Sequence, residues 1–314
     1  MCGIAGFFSK KPVTTESLQD FGIRACEALR HRGPDDSGIW SDSESGVVLS
    51  HTRLAVIDLS PEGKQPMTSS CGRYVIVFNG EVYNHLELRR DLEKRGEAPR
   101  FRGHSDTEVM LAAISAWGLE GALDRFIGMF AFGLWDRAER TLRLVRDRIG
   151  IKPLYYGEAG GGFAFASELK AFRAIPDFQG LIDRNVLALY LRHNYIPAPF
   201  SIYTGVFKLE PGTILTVRLG ATGSLELQTK VYWSAQDIWN AAAGDPFEGD
   251  LAAAEEALEE LLKDSVRLRM IADVPLAGFL SGGIDSSLVV ALMQSMSTRP
   301  VRTFTIGFHE ATHD

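Results

Sequence analysis

Cysteine is scarce: three residues in 314, at positions 2, 26 and 71. An odd count spread that widely makes no disulfide framework and points to a reducing cytoplasm. Long hydrophobic runs are lacking too. No apolar stretch reaches the roughly 18 residues of a membrane span, and no charged segment followed by an apolar one marks a signal peptide at the N-terminus. Nor is positive charge in excess, with 33 Lys and Arg against 40 Asp and Glu and a formal net charge of −7. That argues against a nucleic-acid surface but leaves room for a local phosphate pocket. What is present is ordinary. Hydrophobic residues at 45% and charged residues at 23% describe a globular protein long enough for two domains.

The unusual stretch is the first, Met1-Cys2-Gly3-Ile4-Ala5-Gly6-Phe7-Phe8. A structural thiol next to a chain end has little core to pack into. If Met1 is removed, Cys2 carries a nucleophilic sulfur and a free α-amine together. That amine has an unperturbed pKa of about 7.7–8.0 and can act as a base near neutrality. A nucleophile with a base on the same residue is one solution for covalent catalysis.

Periodicity predicts a strand over 4–8, a helix over 17–29 with Leu18, Phe21, Cys26 and Leu29 on one face, and a turn-rich segment at 31–38. Apolar runs of strand length follow at 47–49, 54–57 and 74–78, the last entering Asn79-Gly80-Glu81. Helices are expected over 85–95 and 107–117, the second started by Ser105 with Glu108 three residues on. Strands are expected over 126–135, 141–146 and in a hairpin around Gly160-Gly161-Gly162. A helix over 184–191 and strands over 206–219 and 226–233 come next, then a linker at 241–250. Beyond it a helix over 251–270, a strand over 274–280, the loop Ser281-Gly282-Gly283, a helix over 284–296 and a strand over 301–306 make a β-α-β unit.

Four constellations carry chemistry. Ser281-Gly282-Gly283-Ile284-Asp285-Ser286-Ser287 lies between strand and helix, where glycines admit a ligand and helix amides favour anions. It lacks the lysine of a Gly-Lys-Ser/Thr phosphate loop, and Asp285 is placed to hold Mg²⁺ on a polyphosphate. Asn79-Gly80 can supply two oxyanion donors, though read alone it is a turn. Arg53 could clamp a carboxylate, though a lone arginine is usually solvated. Asp106, in His104-Ser105-Asp106-Thr107-Glu108, favours a helix N-terminus whether or not it binds a ligand.

Together, Cys2-Gly3-Ile4-Ala5-Gly6, Arg32-Gly33-Pro34-Asp35, Arg53-Leu54-Ala55, Asn79-Gly80-Glu81 and Ser105-Asp106-Thr107-Glu108 resemble class II glutamine amidotransferases. Residues 281–287 resemble the pyrophosphate loop of ATP-pyrophosphatases, and that pairing in that order resembles the glutamine-hydrolysing asparagine synthetase family. The resemblance implies an α+β N-terminal-nucleophile hydrolase sandwich (αββα, antiparallel sheets) followed by the start of an α/β Rossmann-like ATP-pyrophosphatase domain. It implies a glutaminase domain over 1–215, a connecting segment over 216–250 and an incomplete synthetase domain over 251–314. It implies Cys2 as nucleophile, Asn79 and Gly80 as the oxyanion hole, and Arg53, Glu81 and Asp106 as glutamine-binding groups. It implies ATP and Mg²⁺ as co-substrate and metal, held by Leu280, Ser281, Gly282, Gly283, Asp285, Ser286 and Ile306. Glutamine, ATP and aspartate are the implied small-molecule partners, and a homodimer is left open.

The family's synthetase domain is several times longer than the stretch after Leu251, so the sequence reads as a fragment or truncated product. Three other readings stand beside the ligase: a stand-alone glutaminase, a non-catalytic glutamine-binding or interaction module that keeps the fold only, and an amidotransferase acting on another carboxylate such as a sugar acid.

Overall fold

The computed structural model describes residues 1–307; the closing stretch 308–314 lies outside them. The chain divides into two compact units, Met1–Asn240 and Ala241 onward. The first half of the chain runs β1 (Gly3–Ser9), α1 (Thr15–Leu29), β2 (Asp36–Asp42), β3 (Val47–Arg53), β4 (Met67–Thr68), β5 (Tyr74–Val82), α2 (His85–Arg95) and α3 (Asp106–Leu123). It continues with β6 (Gly128–Asp136), β7 (Thr141–Arg146), β8 (Tyr155–Ala159), β9 (Gly162–Ala166), α4 (Arg184–His193), β10 (Val206–Lys208), β11 (Thr213–Leu219) and β12 (Leu225–Val231). Then come α5 (Ala235–Ala243), α6 (Leu251–Arg269), β13 (Ala277–Phe279), α7 (Ile284–Ser295) and β14 (Arg302–Phe304).

Two six-stranded antiparallel sheets form the first unit, in the orders β10-β8-β9-β1-β3-β2 and β12-β11-β7-β6-β5-β4. Alternation along the strands builds its layers. Ile4 and Phe8 of β1, with Val75 and Val77 of β5, point into the core between the sheets. Ala5 and Phe7 point the other way, onto Leu18, Phe21, Ala25 and Leu29 of α1. Ile76 and Phe78 likewise turn outward, onto Leu88 and Leu92 of α2 and Val109, Met110 and Ala113 of α3. Helix, sheet, sheet, helix is the result: the αββα sandwich. The sheets approach closely where the Phe165 ring lies over Gly6 and Gly133, because a Cβ at either glycine would run into that ring.

β1 sits centrally, paired with β3 on one side and β9 on the other, and this holds the N-terminus in place. The Ile4 N–H donates to Ser167 Oγ at 3.0 Å, and the Ser167 N–H returns a bond to Ile4 O at 2.9 Å. Ser167→Ala leaves a buried N–H without an acceptor, an expected loss of about 1–3 kcal/mol. Urea unfolding checks it as a lower midpoint at unchanged slope.

Several elements depart from the sequence pattern. Residues 54–57 are irregular rather than a strand, because the Leu54 and Ala55 N–H groups turn to Cys2 Sγ and Asp35 Oδ2 instead of a ladder. The turn-rich segment ends in β2, an edge strand that the whole of β3 pairs through its backbone. Asn79-Gly80 does not turn: β5 runs on to Val82, opposite β6 throughout. The predicted helix over 107–117 ends where Gly118 takes a positive φ of 74°, and a short second helical piece follows. The strand run expected over 206–219 is divided into β10 and β11, and β11 pairs with both β7 and β12.

In the second unit β13 and β14 pair in parallel, register Ala277↔Arg302 to Phe279↔Phe304, with α7 as the connection. Among the described residues no helix is long and apolar enough to cross a membrane.

Candidate active site

A cavity of about 160 Å³ opens where β1, β3 and β5 end, lined by Cys2, Arg53, Asn79, Gly80, Glu81 and Asp106. All six proposed glutaminase residues therefore meet in one place. The half-buried Cys2 thiol lies 3.4 Å from the Leu54 N–H and 3.6 Å from Leu54 O. Its carbonyl accepts from Arg32 Nε at 2.9 Å, and Arg32 Nη1 is held at 2.8 Å by Glu168.

Register fixes the donors of β5. The N–H and C=O of Phe130 both turn to Asp147, so the residue opposite it, Gly80, directs its own pair away from β6. On that outer edge Gln65 Oε1 takes the Phe78 N–H at 2.7 Å and Asp106 Oδ2 takes the Val82 N–H at 2.9 Å. The Gly80 N–H stands between them, and no described acceptor takes it. Only glycine fits, since a Cβ would collide with Met129 O across the ladder. Beside it the Asn79 side chain is buried, and neither its Nδ2 nor its Oδ1 has a partner among the described residues. Buried polar atoms are nearly always paired. An amide left unpaired at the wall of a cavity is a donor waiting for a ligand oxygen.

Arg53 is buried, with Nη1 donating to Ser60 O at 3.0 Å and Nη2 to Asp58 O. A guanidinium has five N–H groups, so donors remain after those two. Gly63 makes room for it, because a Cβ there would strike Nη2. Asp106 is the first residue of α3, behind a Ser105 cap that accepts from the Glu108 N–H.

The residues of the nucleotide-type loop gather separately, in the second unit. Gly282 has a φ of 80°, a conformation that favours glycine, and Gly283 leads into α7 with no side-chain cap on the helix amides. Ser281 and Ser286 hydroxyls meet at 3.0 Å, and Ser286 Oγ donates to Gly283 O at 3.1 Å. Asp285 lies in the first turn of α7. Leu280 and Ile306 follow the parallel strands at the same sheet edge. The Leu280 N–H already bonds to Phe304 O, and its carbonyl accepts from Thr305 Oγ1.

The glutamine amidotransferase domain family matches residues 1–233, and the asparagine synthase family matches residues 257–314. The chain belongs to the glutamine amidotransferase family. It is 35% identical to asparagine synthetase [glutamine-hydrolyzing] 3 of Bacillus subtilis, over 99% of this chain and 48% of that one. It is equally 35% identical to asparagine synthetase [glutamine-hydrolyzing] 1 of the same organism, over 99% of this chain and 46% of that one. The amidotransferase chain thus spans about half the length of the curated relatives it matches. Among solved structures it superimposes on the glutamine phosphoribosylpyrophosphate amidotransferase of B. subtilis with a TM-score of 0.53 at 17% identity, covering 100% of this chain and 68% of that one. At that identity the likeness shows the fold, a sandwich of the N-terminal-nucleophile type.

Charge in the amidotransferase cavity is tuned mainly by burial. Burial raises Asp106 to about 6, and burial, then the neighbouring Asp106, pushes Glu81 above the usual carboxylate range. Burial also pushes the Cys2 thiol up, against the Leu54 N–H and the positive charges nearby. Sequence reasoning missed two residues on this wall, His51 and Lys152. His51 is fully buried, donates to or accepts from nothing through Nδ1 among the described residues, and lies 3.2 Å from Phe78 O through Nε2. Burial lowers it to about 4, so it is neutral at physiological pH. Neither residue belongs to a run or spacing that marks a site. Only the fold carries them there.

Proposed function

We propose that this chain hydrolyses glutamine at Cys2 and that the ammonia serves an ATP-dependent ligase of asparagine-synthetase type. The observation that carries the reading is the convergence of a terminal cysteine on an unpartnered asparagine amide and a free glycine N–H. After loss of Met1, Cys2 Sγ attacks the glutamine Cδ while the α-amine takes the thiol proton. The oxygen gathers negative charge against Asn79 Nδ2 and the Gly80 N–H. The C–N bond then breaks, the amine returns its proton to the leaving nitrogen, and ammonia departs. Water attacks the thioester, giving glutamate and the free thiol. Arg53 has donors left for the substrate α-carboxylate, while Asp106 and Glu81 face its α-ammonium.

In the second unit Ser281, Gly282, Gly283 and Ser286, with the uncapped amides of α7, would receive ATP phosphates, and Leu280 and Ile306 would border the adenine. Asp285 would give Mg²⁺ one carboxylate, which suits a metal bound mainly through phosphate oxygens and water. ATP would activate aspartate as an acyl adenylate with release of pyrophosphate, and ammonia would displace AMP to give asparagine. The second reading is glutaminase activity without synthesis. Ammonia release tests the first half. Aspartate-dependent exchange of labelled pyrophosphate into ATP separates the two readings, and exchange that ignores aspartate points to another carboxylate.

Asp106 gives this reading a pH signature. Its raised value means that the free protein loses the negative charge as pH falls through about 6, and with it the attraction for an ammonium. KM for glutamine is therefore expected to rise about tenfold between pH 7 and pH 5. For stability the sign is opposite: the raised value costs the folded state above about pH 6, and that cost fades toward the unfolded value of 3.8. Steady-state kinetics across that range checks the first.

A further inference from the structure

Lys152 is the cavity residue that the glutaminase reading leaves without a task. It is only 5% exposed, yet it lines the same wall as Cys2, Glu81 and Asp106. Its backbone is held rigidly. Asp147 Oδ2 accepts from the Lys152 N–H at 2.9 Å, Oδ1 accepts from the Ile151 N–H at 2.9 Å, and Arg146 Nε donates to Lys152 O at 2.8 Å. Asp147 is itself buried and bonded to both backbone groups of Phe130 on β6. The ammonium, by contrast, is not spent on an ion pair. Glu81, Cys2 and Asp147 attract it through space, while Arg32 repels it. An ammonium on a largely buried side chain, at the cavity and without a direct partner among the described residues, is available to act on what the cavity holds.

We propose that Lys152 is a positioning residue for the nucleophile, a fixed positive charge whose field favours the Cys2 thiolate. The inference rests on the glutaminase reading and adds to it a group that biases the protonation state of the thiol. Lys152 lowers the thiol against the burial that raises it, whereas Asp106 raises it further. On the Lys152 side the facing charges are Glu81, Cys2, Arg32 and Asp147. A cation that served only to neutralise Glu81 would govern substrate binding and leave the sulfur alone. That difference is measurable.

The test compares the full chain with Lys152→Met, Lys152→Gln and Lys152→Arg. Iodoacetamide alkylation of Cys2 is followed from pH 6 to 9 on the N-terminal peptide by mass, which separates it from Cys26 and Cys71. Glutamine-dependent ammonia release is measured over the same range. Both neutral variants are expected to alkylate about tenfold more slowly at pH 7, in line with the shift of about one pH unit that loss of a neighbouring charge produces. Their acidic limb of kcat/KM should move up by about one pH unit, with most activity recovered at pH 9. Lys152→Arg should restore the wild-type alkylation profile. Superimposable alkylation profiles of wild type and the neutral variants overturn the proposal, as does a loss of activity equal at every pH or confined to KM. Because alkylation needs no turnover, a chain that fails to hydrolyse glutamine defeats the glutaminase reading and still reports on Lys152.

Discussion

Cys2→Ala is expected to cut glutamine-dependent ammonia release by roughly 10⁴-fold or more, since removing a covalent nucleophile takes away the pathway rather than one stabilising contact. The same substitution should leave the fold alone. Cys2 precedes β1, and the hydrogen bonds of its thiol among the described residues go to the Leu54 backbone, at distances long for strong bonds. The strand behind it is held by the Ser167 pair and by ladders to β3 and β9, none of which involves sulfur. Thermal unfolding of the variant should therefore track the wild type within about 0.5–1 kcal/mol. Cys2→Ser should be nearly as inactive, because a serine hydroxyl is far less acidic than a thiol and the weak amine base cannot make up the difference. Ammonia release from Cys2→Ala near the wild-type rate would remove the cysteine from the chemistry.

Asn79→Ala is the second large effect, an expected fall in kcat of about 10²–10³ with a small change in KM, the pattern for a donor that engages the oxyanion in the transition state. Its stability signature is unusual. Most buried asparagines are paired, and truncation leaves a partner orphaned. Here both polar atoms are already unpaired among the described residues, so no described partner is stranded and unfolding stability should hold or rise slightly. Asn79→Asp should lose more activity than Asn79→Ala, because it removes the donor and sets a negative charge beside the developing oxyanion. Kinetics and urea unfolding on the same preparations would separate this from simple damage to β5. A loss of activity that scales with lost stability would mean that Asn79 serves the sheet instead.

The sequence made these two residues readable in different ways. Cys2 stood out by position alone. Asn79-Gly80 did not, because locally it is a turn signal, and the strand continues only because Gly80 lets Met129 O approach. Local patterns were good guides where a helix face or a cap decides the structure, as for α1 and the Ser105 cap of α3. They failed where pairing across the sheet decides it. β2 is polar and rich in turn residues, yet β3 holds it by backbone alone, while the apolar 54–57 run has no strand to pair with and folds toward Cys2. Arg53, Asn79 and Asp106 could be proposed together only through a family resemblance. Their meeting depends on β1 lying beside β3 and beneath the end of β5, which no spacing along the chain encodes. Lys152 shows the limit most plainly, since a lysine in a loop is ordinarily solvated and bonds from Asp147 and Arg146 hold its segment inward.

Rapid acid quench during glutamine turnover, followed by mass spectrometry of the N-terminal peptide, addresses the central claim most directly. The peptide should begin at Cys2, with Met1 absent, and a fraction of it should carry a γ-glutamyl group on that residue. An active protein whose peptide still begins at Met1, or whose glutamyl group sits elsewhere, would contradict the assignment.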